Sequence, residues 1–113
     1  MVKLIVAVKR RPDLSPEAFH DHWRTTHAEL VRSIDATRRY VRRYTQCHTV
    51  ATEYADGEPA FDGTAELWFD SAADLDAFYS DPEYLARVNP DEARFADMTR
   101  TVFFVTEEEQ VVS

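Results

Sequence analysis

The stretch Ser15-Pro16-Glu17-Ala18-Phe19-His20-Asp21-His22-Trp23-Arg24-Thr25-Thr26-His27 reads as the opening of a helix. Ser15 is placed to cap it, Pro16 suits the first helical position, and Glu17 complements the positive end of the helix dipole. From Phe19 onward, Trp23, His27, Leu30 and Ile34 recur at three- and four-residue intervals. At about 100° per residue they share an arc of about 80°, which predicts one buried face with His27 on it. Before this helix, residues 2–9 are rich in Val, Leu and Ile and end at Arg10-Arg11-Pro12-Asp13, a first strand closed by a turn.

Downstream, residues 40–50 are aromatic and β-branched and predict a second strand. Residues 53–63 contain both glycines and a proline, as a hairpin connection would, and residues 64–69 form the third strand. Ser71 caps a second helix through Phe78, Pro82 interrupts it, a further helical stretch runs to about Asp97, and residues 101–106 are the fourth strand. The order β-α-β-β-α-β predicts an α+β, ferredoxin-like domain over residues 1–106, with a four-stranded antiparallel sheet and both helices on one face. The strands are apolar in both parities: Leu4, Val6 and Val8 alternate with Ile5 and Ala7, and Val102 and Phe104 with Phe103 and Val105. A sheet with two apolar faces must bury both, so a homodimer packed sheet to sheet is expected. Residues 107–113 read as an acidic tail.

At 113 residues, with 44% hydrophobic and 30% charged residues, one globular core is expected. No apolar run approaches the roughly 18 residues of a membrane span. The apolar start is short and is followed by Lys9, Arg10 and Arg11, so the segment predicts a strand in a cytoplasmic protein, without a membrane partner. A single cysteine, Cys47, excludes an internal disulfide. The net charge of −8 opposes nucleic-acid binding; the cluster Arg38-Arg39-Tyr40-Val41-Arg42-Arg43 is expected to pair with local carboxylates. His20 and His22 point about 200° apart on a helix and do not make a metal site. Two glycines leave no phosphate cradle, and no cofactor is expected.

The Ser15–His27 stretch matches the pattern S-x-E-x-F-x-x-[Y/H]-W-x-x-x-H after a Leu/Ile-rich strand ending in Lys-Arg. With Phe61-Asp62-Gly63-Thr64-Ala65-Glu66-Leu67-Trp68-Phe69 and Asp91-Glu92-Ala93-Arg94-Phe95, it resembles the EthD family over roughly residues 3–106. The resemblance implies a dimeric α/β barrel. It also implies kinship with proteins of bacterial ether degradation and with fungal decarboxylases and dehydratases acting on aromatic polyketides.

His27 is the leading candidate acid/base, because a histidine that titrates near neutrality moves protons in either direction. Phe19 and Trp23 on the same face offer an aromatic wall for a flat apolar ligand, and equally a plain core. Tyr40, Tyr44 and His48 share a parity with Arg42 and line the site only if that side of the second strand faces the helices. Asp62 or Glu66 could orient His27, although Asp62 and Asp91 fit structural roles in turns and caps. The expected function is cofactor-independent proton transfer (lyase, dehydratase, cyclase or isomerase) on a small apolar, aromatic or polyketide-like molecule. The alternatives are a noncatalytic accessory protein of a cytochrome P450-type oxidative pathway, and a cofactor-free monooxygenase.

Overall fold

The computed structural model describes residues Met1–Ser113. Strand β1 (Val2–Val8) lies inside the sheet, antiparallel to β3 (Gly63–Phe69) on one side and β4 (Val102–Thr106) on the other. Strand β2 (Val41–His48) pairs antiparallel with β3 at the far edge, giving the order β2-β3-β1-β4. This is the expected ferredoxin-like sheet of an α+β fold. Leu4, Val6, Val8, Ala65, Leu67 and Phe69 face the helices and form the floor of the core.

Above this floor runs α1 (Pro16–His22), capped by Ser15, whose hydroxyl accepts from the Ala18 N–H at 3.1 Å. It passes without a break through a π turn, Trp23–His27, into α2 (Ala28–Ser33). The extra residue of a π turn rotates everything after it. The buried residue of the next turn is therefore Val31 rather than the expected Leu30, which is only half-buried. Ile34 is fully buried as expected, but as an extended residue that ends α2. A short α3 (Asp35–Tyr40) follows, so Tyr40 closes a helix and does not begin a strand. The second helical stretch comprises α4 (Ala72–Tyr79), a π turn at Tyr84–Val88 and α5 (Asn89–Phe95); the break falls at Ser80 and Asp81, just ahead of Pro82, which opens the next turn instead of interrupting one.

The outer face is less uniform than the strand parities suggested. Ile5, Ala7, Val102 and Phe104 make it apolar along β1 and β4. Along β2 and β3 it carries Arg43, Thr45, Glu66 and Trp68, with Lys3 of β1 bridging to Glu66 at 3.0 Å. Lys3 and Arg43 flank the Trp68 ring at 4.6 and 4.8 Å, and the Trp68 N–H donates to Glu108 of the tail. The arginine cluster is occupied locally, since Arg38 pairs with Asp35, Arg42 with Asp70, and Arg39 lies over Tyr40. No helix is long and apolar enough to cross a membrane.

Candidate active site

The π turn puts His27 against α5, where Asp91 is fully buried. The His27 Nδ1–H donates to Asp91 Oδ2 at 2.9 Å, and His22 Nε2–H donates to the same carboxylate at 2.9 and 3.0 Å. Arg94 Nη1 stands 3.3 Å away on the exposed side. Burial opposes the Asp91 charge, but the hydrogen bonds from His27 and His22 outweigh it and hold the carboxyl below the ordinary aspartate range. Burial also lowers the His27 pKa, and the bond to Asp91 offsets this only in part, so the imidazole is neutral at pH 7. Its proton is fixed on Nδ1 by the carboxylate, and Nε2, with its lone pair, makes no hydrogen bond to protein.

His27 borders a cavity of about 50 Å³ between helices and sheet, walled mainly by apolar residues including Trp23, Val31, Leu67, Val88 and Phe95. That volume holds a few water molecules. Small-molecule sites are usually above roughly 300 Å³, so a ring-sized ligand requires the cavity to widen. The lining reaches half-exposed Met98 and Phe103 beside β4, which form its rim. The polar lining is sparse: His27, Tyr44, Tyr79, Tyr84, Glu92 and Thr101. Tyr84 donates to Glu92 Oε2 at 2.9 Å. Burial pushes the Glu92 carboxyl up to about 7, with neighbouring Asp91 adding to the rise and the Tyr84 bond opposing it. Burial likewise raises the Tyr44, Tyr79 and Tyr84 phenols, which stay neutral.

Of the residues singled out from sequence, His27, Trp23 and Tyr44 meet at this cavity. Phe19 stands behind it, fully buried against Trp23 and Phe95. Tyr44 faces inward with Leu67, and its hydroxyl accepts from Gln46 Nε2 at 3.1 Å. The same amide donates to the Trp23 carbonyl, which also closes the π turn by accepting from the Ala28 N–H. Tyr40 does not join the cavity. It lies in α3, and a bulge between Val41 and Arg43 puts Val41 on Tyr44's side of the sheet, which breaks the expected parity. Glu66 is on the outer face, paired with Lys3 and opposite His27, because it alternates with the inward Ala65 and Leu67. His48 packs on the Trp23 ring at 4.5 Å but turns to a separate groove. There its Nδ1 lies 2.6 Å from His20 Nδ1, and burial lowers its pKa to about 4. Asp62 is held by Tyr54 Oη–H at 2.5 Å and the Arg10 N–H at 2.8 Å, away from His27.

Asp91 therefore orients His27, a role given beforehand to Asp62 or Glu66 and not to Asp91. Tyr84 carried no sequence signal, and Glu92 stood out only as a position of the Asp91–Phe95 stretch that resembles the EthD family. The four-residue spacing of Asp91 and Phe95, which places both against His27, was the available clue.

The EthD domain model matches residues 11–99. The chain belongs to the EthD family. An EthD family protein from Bacillus halodurans superposes with a TM-score of 0.71 at 28% identity, covering 96% of this chain and 99% of that one. A dimeric ferredoxin-like protein of unknown function from Bacteroides fragilis shares the fold, with a TM-score of 0.69 at 20% identity and 95% of each chain covered. The dehydratase aurZ of Gibberella zeae is 28% identical across 100% of this EthD chain and 80% of its own length.

Proposed function

We propose that this EthD chain is a cofactor-independent proton-transfer enzyme of dehydratase type, acting on a small apolar, aromatic or polyketide-like molecule. The observation that carries the reading is the His27 imidazole, tied through Nδ1 to buried Asp91 and presenting a free Nε2 at an apolar cavity. Such a group is a ready general base, because its tautomer and orientation are set before substrate arrives. The likeness to a dehydratase supports elimination of water over the other lyase and isomerase chemistries. Trp23 and Tyr44 would flank a flat substrate in the widened cavity.

The working unit is a homodimer, as in the Bacteroides relative. Replacing His27 by Asn removes the basic nitrogen and should cut turnover at least about 100-fold, with folding unchanged by circular dichroism. Activity equal to that of the unaltered protein would refute the assignment.

A further inference from the structure

We propose, resting on the dehydratase reading, that Glu92 is the general acid that completes the site with His27, and that the substrate is an uncharged β-hydroxy ketone. Glu92 is the lone carboxyl in the cavity wall, and Tyr84 engages only one of its oxygens, at 2.9 Å. Oε1 has no protein partner and is the atom free to carry a proton to a ligand. Asp91, the neighbouring carboxylate, is taken up by His27 and His22, and its charge disfavours a second anion beside it. Two carboxyls adjacent in sequence thus have opposite assignments. The one satisfied by two imidazole N–H groups stays ionised, and the one facing apolar walls holds its proton toward pH 7.

Elimination of water needs both members of such a pair. His27 Nε2 takes the proton from the carbon next to the ketone, and the electrons of that C–H bond form the new C=C bond. The C–O bond of the β-hydroxyl breaks as Glu92 protonates the departing oxygen, which leaves as water. His27 is then imidazolium and Glu92 carboxylate, and return of the proton from one to the other restores the starting state. No oxidant, reductant or further reactant enters. An apolar lining favours a substrate without charge, and a phenol from Tyr44 or Tyr79, whose O–H is not given to Glu92, can donate to its ketone oxygen. The phenols of Tyr44, Tyr79 and Tyr84, His27 and Glu92 are the titratable groups around the cavity, with Asp91 and His22 behind His27.

The test uses the full chain and a racemic β-hydroxytetralone, which becomes a fluorescent naphthol on losing water. Glu92→Gln keeps an oxygen for the Tyr84 hydroxyl but cannot give a proton. Its turnover should fall about 100-fold or more, while Glu92→Asp recovers part of it. The unaltered protein should lose kcat as pH rises through about 7, and Glu92→Gln should lack that limb. Infrared titration should show a protonated-carboxyl band that disappears near the same pH and is missing from Glu92→Gln. Near-normal turnover by Glu92→Gln, with His27→Asn inactive, overturns the role of Glu92 and leaves the dehydratase reading standing. Absence of naphthol from the unaltered protein overturns the proposed substrate class. Absence of the infrared band overturns the acid regardless of turnover.

Discussion

His27 and Glu92 share a cavity wall, and burial acts on them in opposite directions because the charged form is the cation in one and the anion in the other. The consequence for stability at Glu92 has a definite sign. A carboxyl whose pKa rises from 4.5 unfolded to about 7 folded binds more protons in the folded state between those values. Its contribution is fully present below about 4.5 and is lost as pH rises through about 7. That shift corresponds to about 3 kcal/mol. Glu92→Gln should therefore gain on the unaltered protein by about this amount between pH 4 and pH 8, read from urea unfolding at both values. A difference that does not change with pH would show that Glu92 ionises normally in the folded state.

In the first helical element the π turn at Trp23–His27 carries Trp23 and His27 both inward and leaves the Trp23 carbonyl to be shared by the Ala28 N–H and Gln46. Close approach of the sheet makes this possible. At Gly63, the first residue of β3, a Cβ would stand 2.2 Å from the Cys47 carbonyl oxygen and 2.6 Å from the Trp23 ring. The main-chain oxygen cannot yield as a flexible side-chain tip would, so β2 and β3 would have to separate. Gly63→Ala should cost about 3 kcal/mol, the upper end of ordinary overpacking, and disturb the tryptophan fluorescence of the folded protein. A loss within about 0.5 kcal/mol, the scale of an indifferent surface change, would show that the strands part freely.

For the whole molecule, the edge strand β4 sets the expectation. Val102, Phe103, Phe104 and Val105 are each 45–56% exposed, on both faces of the sheet, and Met98 lies beside them at the cavity rim. Such a contiguous apolar edge is uncommon on a soluble monomer and invites a second copy. Sedimentation should give a dimer of the 13.1 kDa chain at micromolar concentration, with thermal stability rising with concentration. Phe104→Asp should shift the equilibrium toward monomer, since it puts a charge on the outer face without touching the core. A folded monomer for the unaltered protein at micromolar concentration would rule the dimer out.

Much of the architecture was legible because its signals are local. The Ser15 cap with Pro16, the β-branched run of β1 and the break just ahead of Pro82 act within a turn or a strand, where propensity and sterics are decided by near neighbours. The strand limits were less so: Tyr40 reads as β-forming, yet Ile34 turns the chain and Asp35 restarts a helix that carries Tyr40 to its end. The inward placement of His27 and Trp23 was legible because helical periodicity marks the buried face, whereas parity left open which side of the second strand, and with it Tyr44, faces the helices. The partners of His27 could not be found this way. Asp91 lies 64 residues away, and Glu66, the expected orienting carboxylate, is sent to the opposite face by the inward placement of Ala65 and Leu67. Periodicity reports that a side chain is buried, whereas packing of α5 on the π turn selects which buried carboxyl meets an imidazole and which keeps its proton. The residues of this chain thus dictated a ferredoxin-like sheet with a histidine beneath its helix. Folding tied that histidine to Asp91 and set it in one cavity wall with Glu92, because hydrogen bonds and desolvation depend on distances that exist only once the helices are docked.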